Sequence, residues 1–221
     1  LQPSGLVLDC YLPREDVRDA FVSPGLSGIA DLPSGAVVGT SSLRRRAQLL
    51  NRRPDLEVVQ FRGNVQTRLR KLSDGVASCT FLAMAGLTRL GMLDEVPAHA
   101  IAPEVMLPAV AQGAIGIERR AADLATAALL EPIHDALTAQ RLAAERAFLA
   151  ALDGSCETPI AGLAELDGGE VRLRGEVLRP DGSEVISDEA RAPIADGAAL
   201  GREMGLRLLA QAGPGFFSVK S

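Results

Sequence analysis

The sequence predicts an α/β domain followed by a small α+β domain with an antiparallel sheet. Between residues 35 and 90, short apolar runs alternate with helical segments, a pattern typical of right-handed βαβ units and a parallel sheet. Beyond residue 153, strand-like runs are separated by glycine-containing turns, which indicate hairpins. This change of pattern places a domain boundary near residue 135.

The α/β part is predicted from three strand–helix pairs. Thr40, Ser41 and Ser42 supply hydroxyls that can cap the first helix, and Asn64 can cap the second. A proline-punctuated connection, 97–108, follows the third pair. The predicted strands are 36–39, 56–61 and 80–84, and the predicted helices are 43–51, 65–72 and 86–90.

The second part begins with a long amphipathic helix. Apolar residues recur at helical spacing over 138–152, and the pattern breaks at Asp153 and Gly154. Turns then separate three strand-like runs. The predicted strands are 163–166, 171–178 and 184–191, with a helix at 121–130 before the boundary and a closing helix at 198–212.

Composition narrows the class of protein. Apolar residues make up 47% of the chain, but aromatic residues only 3%, which disfavours a stacking platform for single-stranded nucleic acid. Three cysteines at no metal-ligand spacing disfavour a disulfide framework and favour a reducing cytoplasm, and two histidines cannot build a His-rich metal site. No apolar run is long enough to predict a membrane span.

Arginines concentrate in one stretch of an acidic chain. Between Arg44 and Lys71 there are eight arginines and one lysine but two acids, whereas the whole chain has a net charge of −5. A cationic site on an anionic body indicates a specific anionic ligand. Arginine can hold carboxylate or phosphate groups bidentately, so either anion fits.

These basic residues lie where predicted strands run into helices. Backbone N–H groups and the positive end of the helix lie at such junctions. No Gly-Lys-Ser/Thr follows, so the pattern is not a Walker loop. We expect surface positions for Arg46, Arg52, Arg53 and Arg70, and joint binding of several carboxylates by Arg44, Arg45, Arg62, Arg68 and Arg89 with the neighbouring hydroxyls.

The three cysteines lie in different contexts. Cys156 lies in a polar loop after the long helix, where a thiol is accessible as a nucleophile must be, although an incidental surface cysteine would look the same. Cys10 and Cys79 lie in apolar strand-like segments, and we expect both to fill the core.

Five strings of the sequence are distinctive: GTSSLRRRAQLL, FRGNVQTRLRKL, LAMAGLTRLG, LPAVAQGAIGIE and AERAFLAALDGSCETPIAG. In this order and at these distances they resemble the porphobilinogen deaminase family, also called hydroxymethylbilane synthases. The opening LQPSGLVLDCYLPREDVRDAFVS fits as well. The resemblance covers nearly the whole chain.

The resemblance implies a transferase of tetrapyrrole biosynthesis. Such an enzyme joins four porphobilinogen molecules head to tail, with loss of ammonia, and releases hydroxymethylbilane. The implied fold has two α/β domains like those of periplasmic binding proteins around a cleft, and a small C-terminal α+β domain. A dipyrromethane cofactor would be bound covalently to Cys156 through a thioether. Because each pyrrole carries an acetate and a propionate, the arginines would neutralise a polyanion.

The same resemblance implies a division of the chain. Residues 1–12 and 109–132 would belong to the first α/β domain, 13–108 to the second, and 135–221 to the C-terminal domain. Gln112 and Gly113 would lie at the crossing back into the first domain. The implied cofactor- and substrate-binding residues are Thr40, Ser41, Ser42, Arg44, Arg45, Arg62, Gly63, Arg68, Arg89 and Gln112.

One departure from the family pattern concerns catalysis. The HSxKD motif, whose aspartate protonates the leaving amine and stabilises the cationic pyrrole, does not occur in the chain. In the family this motif lies a few residues before the string with which this chain opens, so the aspartate would lie upstream of Leu1. No catalytic residue can therefore be assigned, and we expect an N-terminally truncated chain that is inactive alone.

A second departure concerns the backbone. Ala111 stands where the family has glycine. If the backbone at this position has a positive φ, the Cβ of alanine would be strained by roughly 1–2 kcal/mol.

Two other functions stay open. A noncatalytic anion-binding module of the periplasmic type would bind a small anion reversibly, without a covalent adduct. A nucleic-acid-binding protein would show steeply salt-dependent affinity, which the net acidity disfavours. The main hypothesis has porphobilinogen and the growing polypyrrole as partners, and predicts a cytoplasmic monomer without nucleic acid, membrane or metal.

Overall fold

The computed structural model describes residues 3–152 and 158–217. Within these residues, no helix is both long and apolar enough for a membrane crossing. The elements follow the chain in the order β1 (Leu6–Tyr11), β2 (Asp19–Val22), β3 (Val37–Gly39), α1 (Leu43–Arg52), β4 (Glu57–Val59), α2 (Val65–Ser73), β5 (Cys79–Ala83), α3 (Met84–Arg89), β6 (Ala98–Ala100), β7 (Gly116–Arg120), α4 (Leu124–Leu130), α5 (Ala136–Ala151), β8 (Ile160–Asp167), β9 (Glu170–Leu178), β10 (Val185–Pro193) and α6 (Gly197–Ala212).

The α/β part is built on a five-stranded sheet with the strand order β4-β3-β5-β2-β6. Strand β3 runs parallel to β4 and β5, as the alternating pattern predicts. Strand β2 runs antiparallel to β5 and β6, so the sheet is mixed. The sequence did not predict these two strands, and β6 lies inside the segment taken as a connection. The α/β class itself is confirmed.

The first two helices of this part begin at the predicted caps. Ser42 Oγ accepts a hydrogen bond from the Arg45 N–H (3.4 Å), and Asn64 Oδ1 accepts one from the Thr67 N–H (2.9 Å). A side-chain oxygen at this position satisfies a backbone donor that has no partner within the helix. Because β3 and β4 run into these caps, the N-termini of α1 and α2 lie at the carboxyl edge of the parallel strands.

The C-terminal part packs α5 and α6 against a three-stranded antiparallel sheet with the order β10-β9-β8. Both predicted hairpins are confirmed, since Asp167 pairs with Glu170 and Leu178 with Val185. The core of this part contains the fully buried side chains of Phe148, Leu173 and Met204. The predicted antiparallel sheet domain is therefore confirmed.

A separate two-stranded antiparallel sheet joins β1 to β7, with Tyr11 opposite Gly116. The helix predicted over 121–130 begins three residues later, as α4. The reason is a cap, because Asp123 Oδ1 accepts a hydrogen bond from the Thr126 N–H (2.9 Å).

Helix α1 is also held by the C-terminal part. Gln48 Nε2 donates to Glu176 Oε2 (2.9 Å), and Asn51 Nδ2 donates to the Gly182 carbonyl (2.9 Å). Both contacts join α1 to β9 or to the turn after it. The C-terminal part therefore fixes the helix whose first turn carries Arg44 and Arg45.

Candidate functional site

The centre of the candidate site is a buried carboxylate between two arginines. Asp19, the first residue of β2, is fully buried, and the side chains of Arg44 and Arg45 are 5% and 9% exposed. Arg44 Nη1 lies 2.8 Å from Asp19 Oδ2, and Arg45 Nη2 lies 2.7 Å from Asp19 Oδ1. One acid thus pairs with two guanidinium groups, so this buried assembly has a net charge of +1.

The Asp19 carboxylate stays ionised in this environment. Burial opposes its charge, but the combined attraction and hydrogen bonds of Arg45 and Arg44 outweigh burial and hold the pKa of Asp19 below its ordinary value. Burial lowers the pKa of Arg45, and the positive charges of Arg44 and Arg68 act in the same direction. Arginine nevertheless keeps its proton in proteins, so the site remains cationic.

Gln112 joins the chain crossing at 109–114 to this assembly. Its Nε2 donates to the Val17 carbonyl (2.7 Å) and to Asp19 Oδ1 (3.1 Å). Its Oε1 accepts a longer hydrogen bond from Arg44 Nη2 (3.4 Å). Among the predicted residues, the structure therefore brings Gln112, Arg44 and Arg45 together around Asp19.

Arg89 and Arg68 reach the same edge of the sheet from the other helices. Arg89, the last residue of α3, donates from Nη2 to the carbonyl of Gly113 (2.9 Å). Arg68 lies close enough to Arg45 for their charges to repel each other, and its Nε donates to the Gly63 carbonyl (2.8 Å). These two arginines extend the cationic surface beyond the buried pair.

Arg62 stands further out. It is exposed, and its Nε donates to Gln60 Oε1 (3.0 Å). Gly63 beside it has φ of 125°, a conformation that side-chain-bearing residues rarely adopt. Within the described part of the chain, no hydrogen bond joins Arg62 to the Asp19 assembly. This predicted residue lies at the outer margin of the site.

The three hydroxyl residues shape the loop between β3 and α1. Thr40 Oγ1 accepts from the Ser42 N–H (3.2 Å), and Ser41 Oγ accepts from the Phe61 N–H (2.9 Å). Ser42 Oγ accepts from the Arg45 N–H as the helix cap, so the hydroxyl oxygens of all three residues accept a hydrogen bond from a backbone N–H. A hydroxyl that accepts can still donate its own proton, so this loop can offer O–H donors to an anion.

A cavity of about 210 Å³ opens beside Arg44. The Nε atom of Arg44 is buried and has no hydrogen-bond partner among the described residues. The wall combines the polar residues Arg44 and Ser42 with apolar side chains. Thr158, two residues beyond Cys156, belongs to the same wall. The cavity is lined by Ser42, Arg44, Ala109, Val110, Leu149, Thr158 and Ile160.

The two buried cysteines are poor candidates for covalent chemistry. Cys10 and Cys79 fill the core, as predicted, and burial raises the pKa of the Cys79 thiol to about 12. A thiol that holds its proton so strongly is a poor nucleophile.

Two sequence-based predictions concern positions outside the described residues, 3–152 and 158–217. One is Cys156, the predicted cofactor attachment residue. The other is Leu1, upstream of which the resemblance places the catalytic aspartate. Both assignments therefore stay predictions.

Sequence reasoning missed two charged residues that organise this region. Asp19 is followed by the apolar run Ala20 to Val22, and an acid at the start of such a run is a signal for a buried, paired carboxylate. Glu145 lies on α5 and is fully buried, with its carboxylate paired to Arg14 (2.7 Å). A position on the inner face of an amphipathic helix was the available signal for Glu145.

Two family profiles match the chain. Residues 1–128 match the profile described as "Porphobilinogen deaminase, dipyromethane cofactor binding domain". The chain belongs to the porphobilinogen deaminase family. Residues 139–210 match that family's C-terminal domain. The resemblance inferred from the five strings is confirmed, and with it the transferase class and the dipyrromethane cofactor.

Two curated relatives support the assignment. Porphobilinogen deaminase of Paracoccus denitrificans (strain Pd 1222) is 67% identical over 217 residues, which are 98% of this chain and 69% of the relative. The chloroplastic porphobilinogen deaminase of Pisum sativum is 50% identical over 220 residues, which are 98% of this chain and 59% of the relative. The chain therefore spans only part of the length of each.

The chain also has distant likenesses among solved structures. A periplasmic binding protein of Salmonella typhimurium, described as having high arginine specificity, has a TM-score of 0.39 and 16% identity over 61% of this chain and 59% of that one. A periplasmic binding protein from Brucella ovis with glutathione bound has a TM-score of 0.35 and 16% identity over 67% and 44%. At these scores, the likenesses carry no conclusion about function.

Proposed function

We propose that this chain is the part of a porphobilinogen deaminase that binds the cofactor and the growing pyrrole chain. The reaction joins four porphobilinogen molecules head to tail with loss of ammonia and yields hydroxymethylbilane. The observation that carries the proposal is the Asp19–Arg44–Arg45 assembly beside a cavity whose wall includes Thr158. Arg44 of this assembly and Thr158, two residues beyond the cysteine predicted to carry the cofactor, thus line one cavity.

The cavity has room for one ring of a dipyrromethane, and the rest of the group would extend outside it. Its apolar side suits the face of a pyrrole ring, and Ser42 and Arg44 in its wall suit a carboxylate of the same molecule. Cys156 would hold the group through a thioether, and Ser42 and Arg44 would bind its acidic side chains. When bound, the cofactor supplies the pyrrole carbon at which chain growth starts.

The arginines would then act by electrostatics. Each added ring brings an acetate and a propionate, so the chain gains negative charge as it grows. The guanidinium groups at the sheet edge offset that charge, and their rigid bidentate geometry would orient the rings. The predicted binding residues Thr40, Ser41, Arg62, Gly63, Arg68, Arg89 and Gln112 would line the path that the chain follows.

Proton transfer is the step that these residues do not supply. Loss of ammonia needs a general acid at the leaving amine, and the carboxylate that is best placed here, Asp19, is committed to two arginines. The family's HSxKD motif does not occur in the 221 residues. We therefore expect the 221-residue chain alone to bind without turnover.

The division of the chain into domains is also part of this proposal. Pairing of β1 with β7 supports placing residues 1–12 and 109–132 in one α/β domain. The five-stranded sheet supports a second α/β domain at 13–108, and the three-stranded sheet supports a C-terminal domain at 135–221. For the cell, we propose a cytoplasmic monomer that acts without nucleic acid, membrane or metal.

The attachment chemistry can be tested on the purified chain. When the chain is produced in cells whose own complete enzyme deaminates porphobilinogen and releases hydroxymethylbilane, intact mass spectrometry and peptide mapping should find a pyrrole adduct on Cys156, with colour in Ehrlich's reagent. Cys156→Ser should lose both signals, and Cys10→Ser, the same change at a buried thiol, should keep them. An unmodified Cys156, or an adduct that persists in Cys156→Ser, would refute the proposal.

A further inference from the structure

Glu145 of α5 holds two segments of the chain that pass between the sheets. Its carboxylate forms a bidentate ion pair with Arg14, with Nη1–Oε1 at 2.7 Å and Nη2–Oε2 at 3.0 Å. It also accepts hydrogen bonds from the backbone N–H groups of Ala111 (2.7 Å) and Ala164 (2.8 Å). Four donors thus satisfy a side chain that is fully buried.

Arg14 completes this contact with the outgoing segment. The side-chain Nε of Arg14 donates to the Gln112 carbonyl (3.0 Å), and the backbone N–H of Arg14 donates to Thr138 Oγ1 of α5 (3.0 Å). The ion pair therefore forms hydrogen bonds with two consecutive residues, Ala111 through its N–H and Gln112 through its carbonyl. Ala111 has φ of 61°, so these hydrogen bonds are made at a position where the backbone is strained for alanine.

Gln112 continues this hydrogen-bond network to the arginine site. The backbone of Gln112 is held by Arg14, and its side chain contacts Asp19 and Arg44. A shift of Gln112 would remove hydrogen bonds from both partners of the buried ion pair. Helix α5 itself ends at Ala151, five residues before Cys156 in the sequence.

We propose that Glu145 is a positioning residue that couples helix α5 to the arginine site through Ala111 and Gln112. The proposal rests on the proposed function, because it assumes that pyrrole carboxylates bind at that site. A buried carboxylate is costly unless its hydrogen bonds are complete. An amide at position 145 cannot accept all four, since its NH₂ group would face donors.

The test uses the 221-residue chain with Cys156→Ser, so that porphobilinogen binds reversibly. Glu145→Gln is compared with Glu165→Gln, the same change at a half-buried carboxylate that pairs with Arg172 and Arg174. Titration calorimetry well below the unfolding temperature should give about tenfold weaker porphobilinogen binding for Glu145→Gln. The reason is that a shift of Gln112 would misplace Arg44, and binding weakens steeply when a binding group is misplaced. Hydrogen exchange at the Ala111 N–H should accelerate in the same variant, and Glu165→Gln should change neither quantity.

A purely structural role would lower the unfolding temperature but leave the affinity of the folded chain unchanged. Folded Glu145→Gln with wild-type affinity therefore overturns the proposal. If that variant does not fold, Arg14→Lys, which keeps the charge but loses the Nε–H bond to Gln112, is tested by the same criteria. If the Cys156→Ser parent chain does not bind porphobilinogen at all, the proposed function fails. If hydrogen exchange at the Ala111 N–H is the same in Glu145→Gln as in the parent, the coupling is refuted separately.

Discussion

Asp19 determines how the two arginines at the start of α1 are oriented. Both guanidinium groups donate to its carboxylate, and Arg45 also donates from Nη1 to the Phe81 carbonyl (3.1 Å). Two buried cations without this acid would repel each other in surroundings that screen charge poorly. The acid is therefore a structural requirement of the site, although it reduces the site's net positive charge.

Asp19→Asn should destabilise the fold by about 3–5 kcal/mol, because it leaves two buried guanidinium groups without a counter-charge. The free energy of unfolding from urea titrations measures the loss. Asp16→Asn is the matched control, since Asp16 pairs with a half-exposed Arg18, and it should cost about 0–1 kcal/mol. Equal losses in the two variants would contradict the assigned role of Asp19.

The same residue predicts how stability depends on pH. The pKa of Asp19 lies below its ordinary value of 3.8, so the unfolded chain binds the proton more readily than the folded chain. This contribution to stability is present above the unfolded pKa and is lost as the pH falls through the lower folded pKa. Unfolding free energies between pH 6 and pH 3 should fall less steeply in Asp19→Asn than in the unsubstituted chain. Parallel slopes would count against the shift.

Ala111→Gly should stabilise the fold by about 1 kcal/mol, because glycine adopts the φ of 61° without the strain that a Cβ creates. Ala114→Gly serves as the control in the same segment, and it should destabilise the fold by about 0.4–1 kcal/mol through the entropy of the unfolded chain. Thermal and urea unfolding measure both changes. A loss of stability in Ala111→Gly would show that the conformation is not strained.

At the scale of elements, the sequence predicted those whose boundaries are chemically marked. The first turns of α1 and α2 were predictable because Ser42 and Asn64 cap them, and the hairpins because glycine turns separate their strands. Strands β2 and β6 were missed although they are no shorter than β3 and β4, because neither runs into a capped helix that marks its end. A strand of three or four residues has too little periodic pattern of its own to be told from a loop.

Packing of α6 on α5 depends on a glycine. A Cβ at Gly201 would overlap the Ala144 carbonyl oxygen, whereas a Cβ at Gly86 in α3 would meet no atom within 4 Å. Gly201→Ala should therefore destabilise the fold by about 1–3 kcal/mol, and Gly86→Ala should stabilise it by about 0.5–1 kcal/mol. Urea titrations of both variants measure this difference in sign. Similar effects at the two positions would contradict the close approach of the helices.

At the scale of the whole molecule, an acidic chain gathers Arg44, Arg45, Arg68 and Arg89 at one edge of one sheet. Sequence reasoning predicted this concentration, because the arginines follow strand ends that a parallel sheet places side by side. It did not predict that two of them are neutralised in part by Asp19, since that pairing depends on β2 lying antiparallel beside β5. Arg53, expected at the surface, is partly exposed and pairs there with Asp55 (2.8 Å).

The arrangement also separates two kinds of arginine. Arg44 and Arg45 are buried and paired with Asp19, whereas Arg68 lies near Arg45 and is partly exposed. Arg46, on the same helix as the buried pair, is exposed. If carboxylates bind at this edge, Arg68 should contribute to binding and Arg46 should not.

Porphobilinogen affinity of the Cys156→Ser chain, compared between Arg68→Gln and Arg46→Gln, tests the central claim most directly. Both variants remove one positive charge from the same region, so long-range electrostatics change almost equally. The account predicts about tenfold or greater loss of affinity for Arg68→Gln, the scale of one charge-assisted hydrogen bond, and less than about twofold for Arg46→Gln. Equal losses, or no loss in either variant, would contradict a carboxylate site built from the arginines at this edge of the sheet.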